Sequence, residues 1–356
     1  MTRRILYIYP KRSAFIDRDL ALLAQGYRID DHELFKGPPW LLPWWLLMQF
    51  LFLIRHTSWK KDVICHFAGY HSVLPSLFSK RCFIILAGSD GASFPHINYG
   101  NFRKRLYGWA TAFSVRHATR LLPVDASLVE SEQTYDPSGP GRQGVKAFVT
   151  RLNTPWTVIP YGFDHEKWLA DPHVSRDQQT IVCVASGTMP GNAVHYRKGI
   201  DLILAIAPLL PKLRFRVIGC PDPTAYAELP GNIEVLAPMN AFALRAAYSE
   251  AAFYLQPSIM EGFPNAVCEA MLCGCVPIVS NVAAMPHIVG SSGFKCMKRD
   301  AQALMNTIKE AHSDPSQKDR SIAARERILM KFTARHRLDA LTMVLTEPDS
   351  PMAQRC

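Results

Sequence analysis

The sequence predicts an α/β protein of two facing Rossmann-like domains, each built on a parallel sheet. Short apolar runs are the first observation behind this class: residues 82–87, with the letters CFIILA, are too apolar for either face of a strand to meet water. Strands that are buried on both faces belong to parallel sheets covered by helices. The second observation is that the alternation of strands and helices restarts near residue 160, and a length of 356 residues suits two domains.

The first predicted domain, residues 1–160, begins with an apolar strand at residues 4–9. An amphipathic helix follows and ends at Gly26, since glycine disfavours the helical backbone. Further strands of this domain are predicted at residues 27–35, 63–67 and 82–87.

The second predicted domain, residues 161–335, repeats the same order of elements. Its strands are predicted at residues 180–185, 215–219, 252–256 and 276–280, with helices at 199–210 and 264–273. The remaining residues, 336–356, are expected to pack back against the first domain.

The charge of the chain is concentrated in its first half. Residues 1–160 contain 20 Lys and Arg against 11 Asp and Glu, a net charge of +9, whereas residues 161–356 contain 20 against 19, a net charge of +1. This asymmetry indicates either an anionic partner, such as phospholipid, a phosphorylated acceptor or nucleic acid, or a basic surface that serves solubility.

The nine cysteines are odd in number and none has CxxC spacing, which is unlike paired secretory disulfides or a zinc site. The apolar run at the N-terminus is too short for the core of a signal peptide and soon meets Pro10. We therefore expect a cytoplasmic protein.

Two segments of the basic half are strongly apolar. Residues 40–54, WLLPWWLLMQFLFLI, are fewer than the roughly 20 residues of a membrane-spanning helix. They predict either a core helix or an interfacial helix with Arg55, Lys60 and Lys61 beside lipid phosphates. In residues 101–118, an apolar stripe that includes Leu106 and Trp109 lies near Arg103, Lys104 and Arg105 and is open to the same two interpretations. The interfacial alternative would place the protein on the inner face of the plasma membrane.

The stretch after the predicted strand 252–256 carries the most specific pattern. Pro264 fits the first turn of the next helix and Gly274 fits its C-terminal end. Ligands of open parallel sheets bind at the carboxyl ends of strands, where a helix N-terminus offers free N–H groups to an anion. Two carboxylates, Glu261 and Glu269, frame this place and tolerate a diphosphate only if they accept hydrogen bonds from sugar hydroxyls. The pattern therefore predicts a site for a nucleotide-sugar.

With Gly-Phe-Pro-Asn between them and CGCVPI after them, these two carboxylates resemble the retaining glycosyltransferases of family 4, which have the GT-B fold. The resemblance is supported by Arg197-Lys198-Gly199, by IPYGFD at residues 159–164 and by Gly88-Ser89-Asp90. It is strong over residues 180–300 and weaker before residue 150.

The resemblance implies transfer of a hexosyl group from a UDP-, GDP-, ADP- or dTDP-linked sugar to a glycan or lipid-linked acceptor, with retained configuration, in the synthesis of a surface polysaccharide or glycolipid. The implied catalytic residues are Glu261, Lys198 and Asp90, and the implied donor-binding residues are Arg197, Lys198, Glu261, Gly262, Phe263, Asn265 and Glu269. Glu269 would bind the ribose, Glu261 the donor sugar, and Lys198 with Arg197 the departing diphosphate.

The chain departs from the family pattern at three places, one of which is Tyr161, where asparagine is common. No arginine follows the strand at 180–185, so Arg197 is the expected second cation of the donor site. Ala87 stands where the family has a histidine, which makes His66 and His71 the candidates on the acceptor side. We find no convincing DxD motif, and we expect neither a metal nor another cofactor, because fixed cations stabilise the leaving group.

Two alternative functions remain open at this stage. Another GT-B enzyme, an epimerase or an inverting transferase, would use the same donor. A non-catalytic protein would use the basic half to bind membrane or nucleic acid, although the carboxylate pair argues against it and we expect no nucleic-acid partner. A dehydrogenase is disfavoured because no GxGxxG motif follows residues 4–9.

Overall fold

Two large parallel sheets organise the computed structural model, which describes residues 3–56 and 61–347. The first sheet has the order β2-β1-β3-β4-β5. Its strands are β1 (Arg4–Tyr9), β2 (Arg28–Glu33), β3 (Asp62–His66), β4 (Arg81–Leu86) and β5 (Arg120–Pro123). β3 and β4 are buried along their whole length, as the apolar sequences of buried parallel strands require.

Helices connect and cover the strands of this first unit. They are α1 (Ala14–Leu23), α2 (Leu42–Arg55), α3 (Tyr70–Phe78) and α4 (Arg105–His117). A short antiparallel pair, β6 (Ser131–Glu132) and β7 (Arg142–Gln143), and α5 (Val145–Phe148) complete the unit.

The second large sheet has the order β10-β9-β8-β11-β12-β13. Its strands are β8 (Asp177–Val184), β9 (Arg214–Ile218), β10 (Ile233–Leu236), β11 (Ala251–Gln256), β12 (Val276–Ser280) and β13 (Phe294–Cys296). Its helices are α6 (Ala193–Arg197), α7 (Ile200–Ile206), α8 (Ala241–Glu250), α9 (Asn265–Leu272), α10 (Met285–Val289), α11 (Ala301–Ser313), α12 (Gln317–Lys331) and α13 (Ala334–Thr346).

The strand orders define where ligands can enter. In each sheet the order reverses once, between β1 and β3 in the first and between β8 and β11 in the second. Connections leave such a pair of strands in opposite directions and open a crevice beyond their carboxyl ends, which is where open α/β sheets bind ligands. The α/β class with parallel sheets is therefore confirmed, and it supplies two crevices.

The last helix lies against the first unit. α13 packs on α1, and Arg337 of α13 donates hydrogen bonds to Asp19 of α1 and to the carbonyl oxygens of Ile159 and Pro160. Residues 348–356 of the predicted tail lie outside the described residues.

Residues 40–54 and 101–118 each have an exposed apolar face. The interpretation of these segments as core helices is wrong for that face. Trp44, Leu47, Leu51 and Ile54 of α2 recur every three or four residues and are 46–50% exposed. On α4, Leu106 and Trp109 of residues 101–118 are 74% and 60% exposed. The exposed apolar residues of this part of the first unit, which we call the apolar face, are Trp40, Trp44, Leu47, Phe50, Leu51, Ile54, Leu77, Phe78, Leu106 and Trp109.

The described residues contain no helix that combines the length and apolar character needed to cross a membrane. Lys60, which the sequence offers as a basic neighbour of α2, lies outside the described residues. The eight cysteines of the described chain are all buried thiols without a disulfide.

Candidate active site

The crevice beyond β8 and β11 holds the residues that the sequence singles out for the donor. Lys198 lies in the turn between α6 and α7, on the connection that follows β8. This turn requires Gly199, because its φ of +70° is left-handed and a Cβ there would overlap the carbonyl group of Pro257. Glu261 lies in the loop between β11 and α9, so the two connections bring Lys198 and Glu261 together.

Lys198 and Glu261 form a largely buried ion pair. Lys198 Nζ donates to Glu261 Oε1 at 2.7 Å, and the two side chains are 15% and 8% exposed. Ser258 Oγ also donates to Oε1 at 2.7 Å, and Gln256 Nε2 approaches it at 3.4 Å. Glu261 is thereby fixed by groups from its own loop and from the turn after α6.

A second cation, Arg197, stands beside this pair. Its Nη1 lies 3.8 Å from Glu261 Oε1, and its guanidinium stacks 4.9 Å from the ring centroid of Tyr99 in the first unit. Burial opposes ionisation of Glu261, but Lys198 and Arg197 hold the pKa of its carboxyl below the ordinary value. The site thus contains one carboxylate and two cations, which leaves a net positive charge for an anionic ligand.

The beginning of α9 contributes the other predicted donor residues. Asn265 is the first residue of the helix and Glu269 lies one turn later. Burial raises the pKa of Glu269, with Arg18 and Lys167 acting in the opposite direction. Arg18 of α1 donates to Asn265 Oδ1 at 2.9 Å and lies 3.8 Å from Glu269 Oε1. A residue of the first unit therefore reaches the donor crevice of the second.

Gly262 and Phe263 serve the same loop in different ways. A Cβ at Gly262 would overlap the carbonyl oxygen of Ala87, so only glycine lets the loop lie directly against the first unit. The Phe263 side chain is 5% exposed and packs on Phe163 and Phe332. Only backbone groups of Phe263 are therefore free to face a ligand.

Asp90 is placed beneath the loop that meets Gly262. It is fully buried, and its carboxylate accepts hydrogen bonds from the backbone N–H groups of Ala68, Ala87 and Gly88 at 2.9–3.3 Å. Burial raises the pKa of Asp90 to about 6, although these backbone donors oppose the shift. This geometry indicates that Asp90 is a positioning residue, which shapes the crevice wall. It does not indicate a group that touches substrate.

Both histidine candidates of the acceptor side are buried in hydrogen-bond networks. His66 lies between the hydroxyl groups of Tyr7 and Tyr161, at 2.7 and 2.8 Å from its two ring nitrogens. His71 Nε2 donates to the carbonyl oxygens of His66 and Phe67 at 2.8 and 2.9 Å. The structure brings neither ring to the Lys198–Glu261 pair; both stabilise the end of β3 and the start of α3.

Acid should destabilise the protein partly through these rings. Burial lowers the pKa of His66 to about 3 and that of His71 to about 4, from 6.5. Between pH 6.5 and 4 the unfolded chain therefore binds protons that the folded chain does not. The free energy of unfolding decreases as the pH is lowered through this range. Below about pH 6 the raised pKa of Asp90 has the opposite effect on stability. Asp90 is one group, however, and the two histidines together outweigh it.

The test is urea unfolding as a function of pH in the wild type and in His71→Gln, whose amide can still donate to the two carbonyl groups. The variant should lose about 1.1 kcal/mol per pH unit less than the wild type between pH 6 and 4.5. An unchanged slope would show that His71 titrates normally in the folded state. The exposed His173 provides the matched control, because His173→Gln makes the same replacement outside the core.

Three residues of the site have no local signal in the sequence. Arg18 and Tyr99 reach Asn265 and Arg197 from the other unit, so only the tertiary structure reveals them. Phe67 adopts a left-handed φ of 68° at the end of β3, a strained backbone for a large side chain.

Within residues 3–56 and 61–347, no group of three or more His, Cys, Asp or Glu side chains is arranged to hold a metal ion.

Comparison with known families and proteins identifies the second unit. Residues 180–314 match the family of group 1 glycosyl transferases. The gpi3 subunit of phosphatidylinositol N-acetylglucosaminyltransferase from Schizosaccharomyces pombe is 27% identical over 170 residues, which are 44% of this chain and 36% of that protein. O-antigen chain mannosyltransferase B from Escherichia coli is 35% identical over 69 residues, 19% of this chain and 18% of that protein. The matches thus span about a third or less of the length of these two relatives.

Solved structures resemble the chain over nearly its whole length. Sucrose-phosphate synthase from Thermosynechococcus elongatus superposes with a TM-score of 0.73 at 16% identity, covering 96% of this chain and 98% of the other. The Anabaena protein HepE in complex with UDP and glucose gives a TM-score of 0.65 at 13% identity and covers 97% and 99% of the two chains. The GT-B fold is confirmed, and residues 180–314 form a glycosyltransferase domain.

Proposed function

We propose that the chain transfers a hexosyl group from a nucleotide-sugar to a lipid-linked acceptor, with retained anomeric configuration, in glycolipid or surface polysaccharide synthesis. The observation that carries this proposal is the Lys198–Glu261 pair, with Arg197 beside it, in the crevice beyond β8 and β11. The sugar donors of glycosyltransferases carry a diphosphate, and the crevice offers it two cations and the N-terminus of α9.

The chemistry follows from where negative charge develops. When the bond from the sugar to the diphosphate breaks, the bridging oxygen leaves with the electron pair, and fixed cations stabilise it. In the donor-free site Lys198 is paired with Glu261. In our proposal Lys198 leaves Glu261 and pairs with the donor diphosphate instead. Glu261 then accepts a hydroxyl hydrogen of the donor sugar, while Glu269 accepts from the ribose. This assignment uses no metal ion, because Lys198 and Arg197 supply the positive charge.

The acceptor enters from the first unit. Its loop at Ala87 and Gly88 directly faces Gly262, so a hydroxyl group bound there lies next to the donor site. The basic first half and the apolar face favour an acceptor that is held in a membrane. The relatives named as phosphatidylinositol N-acetylglucosaminyltransferase subunits agree with a phospholipid as the acceptor class.

The donor is tested by a thermal-shift screen against UDP, GDP, ADP and dTDP and their common sugar conjugates. A ligand that binds only the folded state raises its melting temperature, so one nucleotide should produce a shift that Glu269→Ala abolishes. No shift with any nucleotide would contradict the proposal. With the donor known, NMR assignment of the product anomer separates retention from an inverting transferase, and a free epimerised donor would identify an epimerase.

We also propose that the protein works as a peripheral protein on the inner, cytoplasmic face of the plasma membrane. The apolar face would insert at the level of the headgroups while Arg55, Lys104 and Arg105 contact anionic phosphates. Sedimentation with vesicles that contain phosphatidylglycerol should remove the protein from the supernatant, and less so at high salt. Full recovery in the supernatant at low salt would contradict this location.

A further inference from the structure

A cavity of about 730 Å³ lies in the first unit, at the carboxyl edge of its sheet. Its size falls within the range of small-ligand sites. Phe35, which follows β2, and Leu42, the first residue of α2, contribute apolar walls, and Leu106 contributes another from α4. The ends of α2 and α4 that line it also carry part of the apolar face, so the cavity opens beside that face.

Two cations complete the lining. Lys104 and Arg105, at the start of α4, are both exposed and both line the cavity. An apolar chamber with positive charge at its entrance is complementary to a ligand that joins a hydrocarbon chain to a phosphate. Free hydrocarbons would leave the cations unused, and a free phosphate would leave the chamber unfilled.

The inner wall of the cavity is connected to the donor crevice by a series of contacts. Tyr70 and Tyr107 form this wall, with ring centroids 4.8 Å apart. Tyr107 packs so tightly on Gly69 that a Cβ there would lie 2.8 Å from its hydroxyl oxygen. The preceding residue, Ala68, donates its N–H to Asp90, whose loop touches Gly262 of the donor site. A ligand in the cavity is therefore linked to the crevice through Tyr107, the backbone of Gly69 and Ala68, and the loop of Asp90.

We infer that this cavity binds one acyl chain of an anionic phospholipid, with the phosphate held by Lys104 and Arg105. The apolar face explains how the chain reaches the cavity, since the protein need not extract the lipid into water. The role of this lipid as the sugar acceptor rests on the proposed function, because the headgroup would then extend from Lys104 past Tyr107 into the crevice. The binding of the lipid itself does not depend on sugar transfer.

The inference is tested by calorimetric titration of the full chain with dioctanoyl phosphatidylglycerol below its micelle concentration. Monomeric lipid separates binding in a cavity from adsorption to a bilayer. Dihexanoyl phosphatidylglycerol should bind about tenfold more weakly, because the one buried chain is two methylene groups shorter. Glycerophosphoglycerol, which has no chains, should not bind measurably. Equal binding of the two lipids, or binding of the chainless compound, would overturn the inference.

A matched pair of variants on α4 locates the site. Leu106→Glu places a carboxylate in the cavity beside the phosphate position and should weaken binding of the dioctanoyl lipid at least tenfold. Trp109→Glu makes the same change in charge one turn later, outside the cavity lining, and should bind the monomeric lipid within twofold of the wild type. Both residues are exposed, so both variants should fold. Unchanged binding in Leu106→Glu would also overturn the inference.

Donor binding distinguishes failure of this inference from failure of the proposed function. The thermal shift with the cognate nucleotide should persist in Leu106→Glu, because Leu106 does not contact the donor crevice. Loss of lipid binding with an intact nucleotide shift supports the cavity and leaves the enzyme assignment standing. Lipid binding in a protein that shifts with no nucleotide would retain the cavity and remove the sugar-transfer function.

Discussion

Lys198→Ala should reduce sugar transfer by about 10²–10³-fold, the loss expected when one group that stabilises developing negative charge is removed. The reason is that Lys198 Nζ lies 2.7 Å from Glu261, at the point where both connections of the donor crevice converge. Arg197 lies 3.8 Å from the same carboxylate and cannot replace the lost contact without moving. Initial rates with radiolabelled donor measure the effect, and saturating donor separates the rate from binding.

Two controls separate chemistry from stability. Lys198→Ala leaves Glu261 with a weaker partner, which should cost about 1–3 kcal/mol of stability. Adding Glu261→Gln removes that uncompensated charge and should recover most of the stability, while transfer stays lost. Lys212→Ala removes an exposed lysine of the same unit and should retain wild-type rates. Transfer within threefold of the wild type in Lys198→Ala, with normal circular dichroism, would contradict the assigned role.

The sequence predicts the sheets well because burial on both faces leaves a strong local signal. The predicted strands at residues 4–9 and 276–280 have the same bounds as β1 and β12, and β12 is buried throughout. Shorter strands were missed: β10 has an exposed glutamate and β13 an exposed lysine between apolar residues, so neither forms an apolar run. The short helix α6 was also missed, because it follows a polar loop and has only five residues.

Contacts between the two units were beyond the reach of a local pattern. Glu261 and Lys198 could be proposed together because both lie in recognisable motifs, and the fold brings them into contact. Arg18 is 247 positions from Asn265, and nothing in the sequence around it indicates a donor site. His66 and His71 are candidates because Ala87 stands where the family has a histidine, but whether such a ring faces a crevice or the core depends on its neighbours.

The apolar face shows a related limit of sequence periodicity. The spacing of Trp44, Leu47, Leu51 and Ile54 indicates that they share one side of a helix, but it does not indicate what covers that side. In the structure α2 instead buries Gln49 and Leu53 against the protein, and the Gln49 side chain donates to the carbonyl oxygen of His71. The helix is therefore apolar on its exposed side as well as on its packed side, unlike an ordinary surface helix.

Arg337→Ala should lower the free energy of unfolding by about 3–5 kcal/mol, the cost of breaking a buried ion pair on one side only. Arg337 and Asp19 are each about 1% exposed and are joined by two hydrogen bonds of 2.5 Å. Burial alone would raise the pKa of Asp19, and Arg337 holds it below the ordinary value. Without Arg337, a carboxylate stays buried with the Tyr7 hydroxyl as its remaining close donor.

The dependence on pH identifies the cause. The lowered pKa of Asp19 gives the wild type stability that is present above about pH 4 and is lost as pH falls further. The deficit of Arg337→Ala should therefore be largest near pH 7 and should shrink as the pH falls to 4, because the buried Asp19 of the variant takes up a proton while that of the wild type stays ionised. Urea unfolding at both pH values measures it, and a deficit that is independent of pH would assign the loss to packing instead.

Arg335→Ala is the matched control, since Arg335 lies on the same helix and pairs with Asp339 at the surface with side chains 78% and 55% exposed. That exposed pair should contribute less than about 0.5 kcal/mol. The buried pair has a consequence beyond stability, because Arg337 also donates to the carbonyl oxygens of Ile159 and Pro160, in the segment that links the two units. Arg337 thus holds α13, the linking segment and α1 together, and α1 carries Arg18 to the donor crevice. A variant that kept wild-type stability would show that this junction does not fix the two units, and the approach of Arg18 to Asn265 would then need another cause.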